Sequence, residues 1–211
     1  MSESSLREAI VRYGGSMFAR GLTFGSSGNI SARLDDGWLM TPTNVALDRL
    51  DPARLSKLGD GGRLVSGDPP TKESVLHIAM YRERAAARAV VHLHSTHSVA
   101  VSCLAGVNAD DVLPPITAYY VMRVGSLPLV PYHPPGDPDL AEAVRKLAGR
   151  HAAVLLANHG PVVAGTSLDA AVNAVEELEE TAKLFLLLRQ EKTRWLTPDQ
   201  AADICKRYPI A

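Results

Sequence analysis

The chain reads as a single α/β domain spanning residues 1–211. Three observations predict it. Short apolar runs closed by polar residues, VVHLH at 90–94 and the two runs flanking NHG at 158–160, have the length and β-branched content of buried strands. Segments with apolar residues at helical spacing separate them, the longest covering 167–191. No internal repeat, low-complexity run or linker divides the sequence.

Taken in order, Ser5-x-x-Glu8 has the form of a capping box, and Leu6, Ile10, Tyr13 and Met17 recur at helical spacing. A first helix should therefore end near Gly21. A Gly/Ser-rich loop at 23–28 runs into a short strand, a turn at Asp35-Asp36-Gly37 and a second strand at 38–40. Asp51-Pro52 resembles an N-cap followed by proline at the first helical position, which predicts a short helix through Leu55 and Leu58. Residues 63–66 read as a strand and 67–70 as a turn. Thr71 is the expected cap of the next helix, placing Lys72 and Glu73 in its first turn. The strand carrying His92 and His94 follows, then a helix over 96–104, an irregular segment through Tyr119-Tyr120 and a strand at 127–130. A proline-rich loop precedes a helix from residue 138. Strands at 152–157 and 162–164 flank NHG, and a last helix starts at Pro198.

Charge excludes some partners. The 22 Lys+Arg against 23 Asp+Glu leave a formal net charge of -1 without a long basic run, so neither nucleic acid nor an anionic membrane is favoured. A small molecule is the expected partner. Cys103 and Cys205 lack metal-site or disulfide-framework spacing and should be reduced. The N-terminus has no cationic and apolar leader, and no window holds ~18 consecutive apolar residues, so a cytoplasmic protein is expected.

The chemistry starts from His92-x-His94. Alternate strand residues share a face, so the two imidazoles project together while Val91 and Leu93 pack the other side. A lone H-x-H is more often a pair of satisfied histidines. Here it closes an apolar run, another such run ends in Asn158-His159-Gly160, and Glu73 precedes both. Three histidines would hold a metal and leave positions open for water and substrate, the pattern of a catalytic site. Glu73 is the candidate acid/base, also placed to bind the metal until substrate chelates it; the plain reading is a helix-capping charge. Ser27, Gly28 and Asn29, then Thr43 and Asn44, then Thr71 and Lys72 offer hydroxyls, amides, close backbone approach and a cation suited to phosphate. Each alone is an ordinary turn; together they suggest a phosphorylated substrate. Tyr119 or Tyr120 could supply a phenol, and His97 either supports the metal ligands or caps a helix. His77, His133 and His151 are read as structural or surface residues.

Glu73, His92-x-His94 and His159 within ANHG, with GNIS at 28–31 and TPTN at 41–44, resemble the class II aldolase/adducin family over nearly the whole chain. The family includes fuculose-phosphate aldolase and ribulose-phosphate 4-epimerase. The resemblance implies a three-layer α/β/α sandwich around a mainly antiparallel sheet, zinc on the three histidines, and Glu73 as acid/base. It also implies a cyclic homotetramer with sites at subunit interfaces. Mn²⁺ or Co²⁺ would also suit imidazole ligands. Sugar-phosphate aldolases of the family typically read TPSG and SSE where this chain has TPTN and TKE, which argues against aldol cleavage. VSGDPPTKE, HLHSTHSVAVS, LPPITAYYVMRVG and LLANHGPVVAG instead look like the branch that decarboxylates 3-oxo-tetronate 4-phosphates. The expected reaction is therefore loss of CO₂ from such a sugar-acid phosphate to give dihydroxyacetone phosphate; the alternative is an aldolase or epimerase acting on fuculose or ribulose phosphate.

Overall fold

The computed structural model describes residues 2–134 and 137–210. Pro135 and Gly136, inside the expected proline-rich loop, lie outside the described residues. The chain opens with helix α1 (Glu3–Ala19), followed by strands β1 (Asn29–Leu34), β2 (Gly37–Met40), β3 (Ser56–Gly59) and β4 (Leu64–Ser66). Helix α2 (Ser74–Glu83), strand β5 (Ala89–His92), helices α3 (Thr96–Ser102) and α4 (Ala118–Arg123) and the short β6 (Leu129–Val130) come next. Helix α5 (Pro138–Ala148), the hairpin of β7 (Ala153–Leu156) and β8 (Gly160–Gly165), and helices α6 (Leu168–Leu188) and α7 (Pro198–Arg207) complete it.

The strands form one sheet in the order β4-β3-β2-β1-β5-β8-β7-β6, antiparallel except for β6 with β7. Alternation along β5 divides the core. Val91 and Leu93 join α1, α3, α4 and α6 in one apolar cluster, while Val90 joins α2 and α5 in the other. Helices thus cover both faces, giving the three layers the family resemblance implied.

Register brings the chemistry together. In the β1–β5 pairing Asn29 stands opposite His92, and in the β5–β8 pairing His92 stands opposite Val162, two residues past Gly160. Asn29, the end of β5 and the β7–β8 turn therefore meet at one end of the sheet. His92 emerges on the α2 side, because it shares parity with Val90.

Several expected boundaries move. Ser2, not Ser5, caps α1, its hydroxyl accepting the Ser5 N–H. The Asp51-Pro52 cap starts only a single 3₁₀ turn, Pro52–Arg54. Ser56 and Leu58 are buried while Lys57 and Gly59 are not, so period-two burial against β2 overrides the helix signal and makes β3. Tyr119 and Tyr120 lie in α4 rather than in an irregular segment, because Thr117 caps it by accepting the Tyr120 N–H at 3.0 Å. Glu73, not Thr71, occupies the cap position of α2, although Thr71 Oγ1 still accepts the Glu73 N–H at 3.2 Å.

Helix α6 presses Ala171, Val175, Leu178 and Ala182 into the larger cluster. Leu178→Ala should cost about 3 kcal/mol of stability, as cavities in such cores do, and urea unfolding measures it.

Candidate metal centre

His92 ends β5 fully buried, and its orientation is fixed from behind: Nδ1–H donates to the Pro161 carbonyl at 2.8 Å, so Nε2 faces the other two imidazoles. His94 lies just beyond the strand. His159 sits in the β7–β8 turn, where Asn158 adopts φ 56° and Gly160 φ 152°. A Cβ on Gly160 would stand 2.3 Å from the Leu93 carbonyl oxygen, so only glycine lets the turn lie against the His92–His94 segment.

The three ring nitrogens converge. His94 Nε2 is 3.0 Å from both His92 Nε2 and His159 Nε2. Glu73 closes the group, with Oε1 at 3.0 Å from His159 Nε2 and Oε2 at 3.4 Å from His92 Nε2. All four ligand atoms lie within 4.8 Å of one another. Imidazole nitrogens facing at 3.0 Å share either a proton or a metal cation between them. Nitrogens around a tetrahedral zinc, each at ~2.0–2.1 Å, stand about 3.3 Å apart, close to this spacing. The donor set therefore fits a divalent metal.

Electrostatics agree. Burial works against the Glu73 carboxylate, yet the His92 charge and hydrogen bonds from His159, His92 and Asn29 hold its pKa far below the ordinary carboxylate value. His92 is pushed down by burial but raised on balance by Glu73. Burial and the neighbouring imidazoles drive His94 to about 4, leaving it neutral and ready to donate its lone pair.

One wall of the group opens into a cavity of about 230 Å³ lined by Ser27, Gly28, Asn29, Thr43, Asn44, Thr71, Lys72, Glu73, His94 and His159. All seven residues expected to contact phosphate thus share one surface with the metal cluster. The loops at 42–44 and 70–72 are tied to each other: Thr43 N–H donates to the Pro69 carbonyl and Thr71 N–H to that of Thr41. Gly28, at φ 80°, packs against Thr23, Leu93 and His92. A second recess shares His94 and His159 and is lined by Phe24, Thr96, Val99, Tyr132, His133 and Asn158. His133, read from the sequence as a structural or surface residue, thus lines a recess beside the cluster. Tyr119 is exposed on α4 and lines neither recess, and Tyr120 is buried.

Two supports were missed in the sequence. Glu179 of α6 is buried and caps α3, accepting from the backbone N–H groups of His97 and Ser98, and from the Ser98 hydroxyl, at 2.7–2.8 Å. His97 Nδ1 lies 2.8 Å from the same carboxylate, so this residue stabilises the cap behind His94. A glutamate among Val175, Leu178 and Ala182 on the buried stripe of α6 was the available signal. His77 is fully buried, one helical turn beyond Glu73, and hydrogen-bonded to Asn29. The i, i+4 spacing from Glu73 was its signal.

A site with these features, on this fold, places the chain in a known group: it belongs to the class II aldolase and adducin N-terminal domain family, which matches residues 8–186. Among its relatives, the 3-oxo-tetronate 4-phosphate decarboxylase of Cupriavidus necator is 56% identical over 189 residues, 89% of this chain and 87% of that protein. The protein of the same name from Escherichia coli K12 is 51% identical over 203 residues, 96% of each. The crystal structure of YgbL from Escherichia coli superposes with a TM-score of 0.94 at 50% identity, over 96% of this chain and 98% of that one.

His94→Ala and His159→Ala should each weaken zinc binding by more than the ~10- to 100-fold lost with an outer hydrogen-bond partner, as competition with a chromophoric chelator measures. Burial, with the His92 charge, holds His77 down to about 3 from 6.5. The folded chain thus refuses a proton that the unfolded chain takes below pH 6.5. The resulting stability is complete above that pH and is lost as pH falls toward 3. His77→Gln should flatten this acid limb in urea titrations between pH 4 and 7.

Proposed function

We propose that this chain is a carboxy-lyase that converts a 3-oxo-tetronate 4-phosphate into dihydroxyacetone phosphate and CO₂ during sugar-acid breakdown. One observation carries the reading: three converging imidazoles and Glu73 open onto the cavity that bears Ser27, Asn29, Thr43, Asn44, Thr71 and Lys72. The names of the relatives point to the same substrate. His92, His94 and His159, with Glu73, would hold Zn²⁺, or Mn²⁺ or Co²⁺ in its place. The cation supplies a Lewis acid that offsets negative charge developing on substrate oxygens.

The chain's own residues do the rest. Hydroxyls, amides and the Lys72 ammonium receive the phosphate. Glu73, ionised beside His92, accepts the proton of the C2 hydroxyl. The C1–C2 bond breaks, CO₂ leaves, and its bonding pair stays on C2. Glu73 then returns its proton to that carbon, and solvent supplies the one proton consumed overall. Tyr119, exposed and away from its own cluster, serves in this proposal at the site of a neighbouring copy in a homotetramer, passing that solvent proton to the C2 oxygen. Residues 1–211 act as one domain, in the cytoplasm; among the described residues no helix is long and apolar enough to cross a membrane.

Incubation with 3-oxo-tetronate 4-phosphate should release CO₂ and dihydroxyacetone phosphate in equal amounts, and chelation should stop it. Glu73→Gln should lower kcat by ~10²–10⁴-fold, the worth of a positioned acid/base group, with zinc still bound. Faster turnover of fuculose or ribulose phosphate than of the oxo acid would move the assignment to an aldolase or epimerase.

A further inference from the structure

Behind Glu73 runs a row of polar side chains that the reaction does not consume. Asn29 Nδ2 donates to Glu73 Oε2 at 2.7 Å, and Asn29 Oδ1 lies 2.5 Å from His77 Nε2. His77 Nδ1 lies 2.7 Å from Ser31 Oγ, which lies 2.8 Å from the Tyr81 hydroxyl. All four residues behind Glu73 are buried. We propose that Tyr81, Ser31 and His77 are positioning residues, whose hydrogen bonds run in one direction and aim the Glu73 carboxylate through the Asn29 amide.

The direction is forced link by link. An ionised carboxylate only accepts, so Asn29 presents its NH₂ to Glu73 and its carbonyl to His77. That carbonyl only accepts, so the hydrogen of His77 sits on Nε2. A neutral imidazole then has a lone pair on Nδ1, and Ser31 must donate to it. Ser31 in turn offers an oxygen lone pair to the Tyr81 hydroxyl, which donates. Burial holds His77 neutral, as this arrangement needs.

The fold builds the row from two simple periodicities. Glu73, His77 and Tyr81 are spaced one helical turn apart at the start of and along α2, and Asn29 and Ser31 share one face of β1. The two stripes interleave, each strand residue bridging two helix-side residues. An apolar seam would hold β1 against α2 without desolvating polar groups. What the polar seam adds is an orientation, since a flipped Asn29 amide would set an oxygen against the Glu73 oxygen.

The inference rests on Glu73 as the proton carrier, and its first test needs no turnover. In metal-free protein labelled with ¹⁵N-histidine, His77 should show the neutral Nε2–H form and should keep it in Ser31→Ala, because the Asn29 carbonyl sets the tautomer. In the zinc-loaded enzyme, kcat should fall in the order Tyr81→Phe, Ser31→Ala, His77→Leu. The last should reach the ~10- to 100-fold typical of a lost outer partner, while KM and bound zinc stay within about twofold. His77→Gln, which keeps a donor for Asn29, should recover most of the loss. In a Glu73→Gln background His77→Leu should cost nothing further. A purely structural seam predicts instead lower melting temperatures with kcat within twofold of wild type in Ser31→Ala and His77→Leu, or equal losses in both backgrounds. Either of those results, or an Nδ1–H or protonated His77, overturns the proposal. A wild-type protein that releases no CO₂ overturns the decarboxylase reading alone, and the nitrogen spectra still decide the direction of the row.

Discussion

The pairing of β5 with β8 is the constraint on which the site depends. It sets His92 opposite Val162, lays the NHG turn against the His92–His94 segment, and does so only because Gly160 carries no side chain toward the Leu93 carbonyl. Two segments almost seventy residues apart thereby contribute three imidazoles to one point. The same pairing lets Pro161 take the Nδ1 hydrogen of His92, fixing which nitrogen faces the other imidazoles. Backbone hydrogen bonding thus settles both the place and the protonation of a ligand, and helix propensity contributes little to either.

Around that pairing the two helical layers do different jobs. The layer with α6 fixes the ligand segment from below: Glu179 accepts the first N–H groups of α3 and so anchors the chain immediately after His94. The layer with α2 brings the carboxylate, delivered just before the helix begins and reached by hydrogen bonds through β1. A buried glutamate as a cap is costly to desolvate, but four donors, three on the backbone and hydroxyl of α3 and one on His97, offset the cost.

Much of this was legible in the sequence. Period-two spacing gave the shared face of His92 and His94, NHG gave a tight turn, and apolar runs gave the strands that hold both. What escaped notice depended on contacts between elements. The β3 segment looked helical because Asp51-Pro52 is a strong local start signal, and only the free edge of β2 turned Ser56 to Gly59 into a strand. Tyr119 and Tyr120 read as lying in an irregular segment, yet Thr117 caps a helix there that buries Tyr120 and leaves Tyr119 exposed. His77 was passed over for lack of a neighbouring metal motif. Its partners lie on β1, and nothing local to residue 77 announces them.

The mutual tie between the loops at 42–44 and 70–72 bears on how such a protein could change its ligand. Because the backbone of each loop is hydrogen-bonded to residues flanking the other, neither can be lengthened or re-aimed while its neighbour stays put. Recognition of a differently shaped anion would then demand paired edits on both segments, whereas the imidazole cluster, anchored in the sheet, could be inherited untouched.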